Sequence, residues 1–154
     1  MERTLILLKP CAIERAIMGE ILSRIEKKGL LIVGIKMLQL SDALLDQHYA
    51  HLADKPFFPI IKASMQRTPV VALCVQGKEA VQVIRQMAGV TNGRNASPGT
   101  IRGDYSMSVM ENVIHASDTI ENAQTEINRF FTANELFNYQ TLLTTSLYAP
   151  EELN

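Results

Sequence analysis

Four short apolar runs limit how this chain can fold. They are RTLILLK (3–9), LLIVGIKMLQL (30–40), PVVALCVQG (69–77) and the VIH of residues 113–115. Each has the length of a β-strand, and the runs are nearly continuous rather than alternating, which marks strands covered on both faces. Helical patterns lie between them. Ile13, Ile17, Ile21, Leu22 and Ile25 recur at helical spacing within 12–28. Gly19 is expected to kink or divide that helix, and Gly29 to stop it. Ser41 is a good N-cap for a helix running to Leu52. Asp54-Lys55-Pro56 breaks it, and residues 57–65 form another short helix. Residues 79–87 are a helix ended by Gly89. Asp118, with Glu121 three residues on, is close to a capping box for the helix after the fourth run. From about Leu136 a short helix and an extended tail are expected.

This order predicts the α+β class: a ferredoxin-like sandwich with a four-stranded antiparallel sheet, βαββαβ, covered by helices. The chain has 154 residues, 47% of them hydrophobic. It is expected to form one domain over 1–154, with a core to about residue 138 and a tail over 139–154.

Several function classes drop out. A formal net charge of −1 argues against a dedicated nucleic-acid or membrane surface. No apolar stretch approaches the roughly 18 residues of a membrane span. Cys11 and Cys74 make neither a disulfide framework nor a metal spacing, so reduced thiols in a cytoplasmic protein are expected. There is no GxxxxGK[ST], GxGxxG, HRD, DFG or GxSxG motif. No strand carries the aromatic signature of an RNA-binding sheet. His48 and His51 stand three apart on a helix without a third ligand, so they read as solvated residues and no protein metal site is expected.

The stretch ENVIHASDT (111–119) ends an apolar strand in an imidazole. Extended backbone puts His115 and Ser117, and Val113 with them, on one face. Asn112 offers an amide just upstream, and Glu126 on the next helix is a candidate partner for the imidazole. Lys9 closes the first run. Arg85 lies on a helix, and Thr91, Arg94 and Arg102 accompany the glycine-rich loop 89–104, whose length suits a functional loop. Arginine grips phosphate oxygens with a fork, lysine acts as a point charge, and threonine adds a hydroxyl. Such cations around one histidine, without a P-loop, point to phosphoryl transfer through a covalent histidine.

These pieces closely resemble the nucleoside diphosphate kinase family, nearly end to end. ENVIHASDT looks like the family's N-x-x-H-G-S-D signature, and PGTIRGD, KPFF and the TN of GVTNG match as well. The resemblance implies transfer of the γ-phosphate from ATP and other nucleoside triphosphates to diphosphates. The mechanism would be ping-pong, with little base specificity, and would maintain nucleotide pools. It implies that His115 takes the phosphate, supported by Lys9, Ser117 and Glu126. Lys9, Tyr49, Arg85, Thr91, Arg102 and Asn112 would hold phosphates and sugar. Phe57 and Val109 would sandwich the base, and loop 89–104 would be the nucleotide-binding loop. Mg²⁺ held mainly by the phosphates, and a homo-oligomer, tetramer or hexamer, are implied too. The chain departs from the family at Cys11 (commonly Asp), Ala116 (Gly), Thr119 (Ser) and Gly93-Arg94 (often Pro-Ala). If position 116 needs a positive φ, alanine there costs stability or forces a shift. Two other classes compete: a homologue that kept the fold as an interaction module, and a phosphohistidine relay carrier.

Overall fold

The computed structural model describes residues 1–152. In chain order the elements are β1 (Glu2–Leu8), α1 (Pro10–Glu14), α2 (Met18–Lys28), β2 (Leu31–Leu38), α3 (Asp42–His48) and α4 (Phe58–Met65). Then follow β3 (Val70–Gly77), α5 (Ala80–Ala88), α6 (Ile101–Tyr105), β4 (Ile114–Ala116), α7 (Ile120–Phe130) and α8 (Thr144–Leu147). The sheet order is β2-β3-β1-β4, and every neighbouring pair is antiparallel. This is the ferredoxin-like α+β arrangement. The link from β2 to β3 is not a tight hairpin. It carries α3 and α4, which bring His48, Tyr49 and Phe57 to one end of the sheet.

β1 explains its own central place. Leu5 and Leu7 point to one side, where they join Val33, Cys74, Ile127 and Phe130. Ile6 and Leu8 point to the other, against Ile21 and Ile25 of α2 and Ile84 of α5. All four are fully buried. Each such side chain stabilises the fold by roughly 1.5–3 kcal/mol. A strand apolar on both faces has nowhere else to go. Cys74 and Cys11 are buried free thiols.

Several boundaries differ from the sequence reading for identifiable reasons. The helix expected over 12–28 does divide, but at Ala16, not Gly19. Pro10 opens α1, where its missing N–H is harmless. The Ala16 N–H then donates to the Ile13 carbonyl (3.0 Å) and the Ile17 N–H to that of Ala12 (3.1 Å). This pair of bonds closes a helix when the next residue turns left-handed, and Ala16 does so at φ +54°. Gly19 lies inside α2. Gly29 closes α2 as expected, at φ +95°. Ser41 caps α3, accepting from the Leu44 N–H, but that helix stops at His48. The cap of α7 is Thr119, accepting from Asn122, rather than Asp118. Thr119 is extended (φ −136°) and so aims its hydroxyl at the first turn. The loop 89–104 contains a short turn at Gly93–Asn95 and all of α6 but its last residue, Tyr105.

After α7 the chain turns back along β2. The Phe137 N–H donates to the Val33 carbonyl (2.8 Å), and the Tyr139 hydroxyl to that of Ile32 (2.6 Å). Lys78 then holds the Glu152 carbonyl at 2.7 Å. Among the described residues, no helix is long and apolar enough to cross a membrane.

Ala16 is exposed, so its left-handed backbone costs energy with no packing in return. Ala16→Gly is expected to raise the unfolding free energy by about 1 kcal/mol. Urea denaturation checks this; an unchanged midpoint would show that Ala16 is not held left-handed.

Candidate active site

The site is assembled around a strained turn. The Ile114 N–H donates to the Asn112 carbonyl (2.8 Å), closing a three-residue γ-turn on Val113, whose φ is +74°. Turns of this hand are rare, and a β-branched residue suits them worst. Such strain costs about 1–3 kcal/mol and persists only when its surroundings enforce it. Arg102 enforces it. Its guanidinium donates to the carbonyls of Gly89 (2.7 Å), Ile114 (2.7 Å) and Asn112 (3.4 Å). The Lys9 N–H takes the Val113 carbonyl at 2.9 Å, and the valine side chain is fully buried.

This corrects one expectation and answers a conditional one. Val113 does not share the His115 face, because its turn breaks the alternation and sends it into the core with Ile114 and Ala116. Ala116 carries no positive φ; it pairs with Ile6 in the regular ladder. The strain falls three residues earlier than position 116.

The turn aims polar groups into a cavity of about 560 Å³. Lys9 directly follows β1 and Tyr49 directly follows α3, while α5 and α6 supply Arg85 and Arg102. Thr91, Asn112, His115 and Glu126 complete that wall. An apolar cleft of about 380 Å³ adjoins it, with Phe57 and Val109 in its lining. Lys9, Tyr49, Thr91 and Asn112 belong to both. Asn112 donates to the carbonyls of Val109 (2.8 Å) and Thr91 (3.3 Å), and its Oδ1 is buried without a partner. Every singled-out residue of the resemblance except Ser117 lines one cavity or both. Ser117 is buried beneath. Arg94 does not line either cavity; it is exposed and donates to the Met107 carbonyl. Its neighbour Gly93 donates to the Ser108 carbonyl (3.1 Å), and a side chain there would overlap the Ser106 carbonyl.

Beneath the imidazole lies a carboxylate. Glu126 Oε2 is 3.0 Å from His115 Nε2 and accepts from the Ser117 hydroxyl at 2.5 Å. Ser117 itself accepts from the Leu5 N–H at 3.3 Å. Burial alone would raise the Glu126 pKa, but the hydrogen bonds and charge of His115, with Ser117, pull it down to about 2. An ionised carboxylate only accepts, so Nε2 carries the ring proton and Nδ1 keeps its lone pair.

The cations stand opposite. Among the described residues, Lys9, Arg85 and Arg102 make no salt bridge. Burial, and then the charge of Arg102, lowers the Lys9 pKa to about 8. Burial and Arg85 lower that of Arg102 to about 10. Three mutually repelling cations in one pocket make a seat for a polyanion. Burial, with the Glu126 charge, pushes the Tyr49 phenol up to about 12, so it stays a donor.

His48 is not solvated: it is 6% exposed, and its ring stands edge-on to His115 at 4.7 Å between centroids. The expectation that it is a solvated residue therefore fails for His48. His48, His115 and Glu126 place donor atoms within 4.8 Å of one another. Arg129, however, donates to His48 Nδ1 at 3.2 Å, and three further cations line the pocket, so a divalent ion is opposed there. Sequence reasoning missed both His48 and Arg129. His48 follows Leu44 and Leu45 by four and three residues, on the apolar face of α3. Arg129 follows Glu126 by three.

The family profile described as nucleoside diphosphate kinase matches residues 2–136. The nucleoside diphosphate kinase of Parabacteroides distasonis is 55% identical over 152 residues, 99% of each chain. That of Rhodopirellula baltica is 47% identical, over 99% of this chain and all of its own. Among solved structures, a halophilic nucleoside diphosphate kinase from Halobacterium salinarum in complex with CDP superposes with a TM-score of 0.93. It is 37% identical and covers 96% of this chain and 99% of its own.

The Glu126 pKa lies below its ordinary value near 4.5. Its ionised form therefore contributes stability above that pH, and the contribution is lost as pH falls toward 2. The stability gap between the wild type and Glu126→Gln is expected to hold from pH 6 to about pH 5 and to narrow from there to pH 3 in urea titrations. A constant gap would exclude an ionised, bonded Glu126.

Proposed function

Because this chain belongs to the nucleoside diphosphate kinase family and is an enzyme of that class, we propose that it works by ping-pong transfer through phosphohistidine on His115. One observation carries this reading: an imidazole with Nε2 engaged by a carboxylate sits in a cavity with three unpaired cations. The Nδ1 lone pair attacks the γ-phosphorus of a nucleoside triphosphate. The bond to the β–γ bridging oxygen breaks, and the diphosphate leaves with that electron pair. A second diphosphate then reverses the same steps. Glu126 stabilises the charge that builds on the ring as Nδ1 is phosphorylated.

Arg85, Arg102 and Lys9 offset the charge on the transferring oxygens, so positioning does most of the work. The Asn112 Oδ1 awaits a hydroxyl donor such as the ribose. Tyr49 and Thr91 add donors nearby. Phe57 and Val109 offer apolar walls that read no base edge, which supports use of purines and pyrimidines alike. The CDP held by the Halobacterium salinarum relative supports a diphosphate in this pocket. Magnesium would be held mainly by the nucleotide's phosphates. Glu126 is occupied with His115 and Ser117, which leaves Asp118 at the rim as the remaining carboxylate. The ion supplies charge neutralisation on the phosphates.

A role in balancing nucleotide pools follows from the loose base site. Buried reduced thiols support a cytoplasmic setting. Exposed Ile35 and Met37 on the edge strand β2, with Leu142 and Leu143 beyond it, support a homo-oligomer, tetramer or hexamer.

Incubation with Mg²⁺ and γ-labelled ATP is expected to give an acid-labile, alkali-stable label that GDP or CDP releases as triphosphate. His115→Ala should take no label. Label on His115→Ala would overturn the assignment, and label that no diphosphate removes would favour a relay carrier. Bound phosphates should also restore the Lys9 charge. Proton uptake on ADP binding is expected at pH 8.5 and not at pH 6.5. Calorimetry in buffers of different ionisation enthalpy reads it, and equal heats at pH 8.5 would refute it.

A further inference from the structure

Arg129 should by rights pair with Glu126. Both lie on α7, three residues apart with the acid first, the spacing at which helical ion pairs form readily. Both line the same cavity. Yet among the described residues no Arg129–Glu126 bridge exists. Arg129 Nη1 donates instead to His48 Nδ1, at 3.2 Å. Glu126 is left to accept from His115 and Ser117.

We propose that His48 is a positioning residue: its Nδ1 diverts the Arg129 guanidinium, so that the Glu126 carboxylate stays committed to His115 Nε2. The acceptor must be neutral, buried and fixed. His48 meets each condition. Arginine cannot act as acceptor, so Nδ1 is the unprotonated nitrogen and Nε2 bears the proton. That Nε2 is buried with no hydrogen-bond partner among the described residues, and the His48 ring centroid lies 4.7–5.3 Å from those of Tyr49, His115 and Phe130. Burial and the adjoining His115 charge hold the His48 pKa down to about 3, so the ring stays an acceptor across the working range. A carboxylate in this place would bind Arg129 more tightly but would face Glu126, whose Oε1 is 3.9 Å from His48 Nδ1. Two carboxylates so close would repel. A neutral imidazole avoids this.

Without the diversion Arg129 competes for Glu126. The carboxylate then grips His115 Nε2–H less firmly, the ring samples the other tautomer, and Nδ1 loses its lone pair part of the time. The consequence rests on His115 being the phosphate acceptor, as proposed above. The diversion itself does not.

The test uses four full-length variants. His48→Phe keeps a ring but removes the acceptor. His48→Asn keeps an acceptor near the Nδ1 position but removes the ring. Arg129→Met removes the competitor, and His48→Phe/Arg129→Met removes both. Phosphorylation of the protein by ATP is followed in single turnovers, and the His115 tautomer by ¹⁵N NMR without nucleotide. His48→Phe should slow phosphorylation at least tenfold and mix the tautomers. His48→Asn, Arg129→Met and the double variant should stay within about threefold of the wild type, with Nε2–H retained. A merely structural role for His48 would not be repaired by deleting Arg129. A double variant no faster than His48→Phe, or His48→Phe outperforming His48→Asn, would overturn the proposal. So would an unchanged tautomer in His48→Phe, which reads the diversion even if His115 proves not to be the acceptor.

Discussion

A guanidinium bonded to three main-chain carbonyls is the constraint on which this site depends. Arg102 joins the end of α5 to both sides of the Val113 turn. Hydrogen bonds from a charged donor contribute roughly 1.5–3 kcal/mol each. Together they exceed the cost of about 1–3 kcal/mol for one residue in a forbidden backbone region. The turn therefore holds. Because it holds, β4 starts with His115 facing the cavity, Ile114 and Ala116 facing the core, and the Asn112 amide facing the cleft. Residues with unrelated roles share one mechanical origin.

The same side chain belongs to the electrostatic plan. The cavity separates its charges: among the described residues Lys9, Arg85 and Arg102 line it without salt bridges, while the half-buried Glu126 carboxylate lies beneath the imidazole. Lys9 and Arg102 are held where their charged forms are less favoured than in water, as their lowered pKa values record. The fold meets this cost with its core. β1, covered on both faces, anchors Lys9 at its end and receives Ser117 against Leu5.

Much of this was legible in residue order. β1 and β3 announce themselves, since a strand buried on both faces must be apolar throughout. Gly29, Gly89 and Ser41 end or start helices because glycine turns left-handed freely and a serine hydroxyl can replace a missing acceptor. The polar residues of the site stood out because they interrupt or end apolar runs. What escaped was geometry that the residue type argues against. Nothing about an exposed alanine suggests a left-handed helix stop, and a valine argues against a γ-turn. In both, tertiary contacts overrule local preference. Thr119 and Asp118 are equally good caps by composition, and only the backbone entering α7 decides between them. His48 was misjudged for another reason. Its neighbours Leu44 and Leu45 mark an apolar face, but a histidine on such a face has no evident use until Arg129 is seen beside it.

The main-chain character of the Arg102 clasp has a consequence for inheritance. Gly89, Asn112 and Ile114 each contribute a carbonyl to it, and every residue has one. The clasp does not read the side chains at 112 and 114, but at 89 the backbone has φ +81° and a Cβ would meet Thr100, so glycine belongs there. Lineages can thus replace more than half of their residues, as the 37% identity and near-superposition with the halophilic relative illustrate. The frame itself demands few particular residues: the arginine, a glycine at 89, and one buried aliphatic residue at 113.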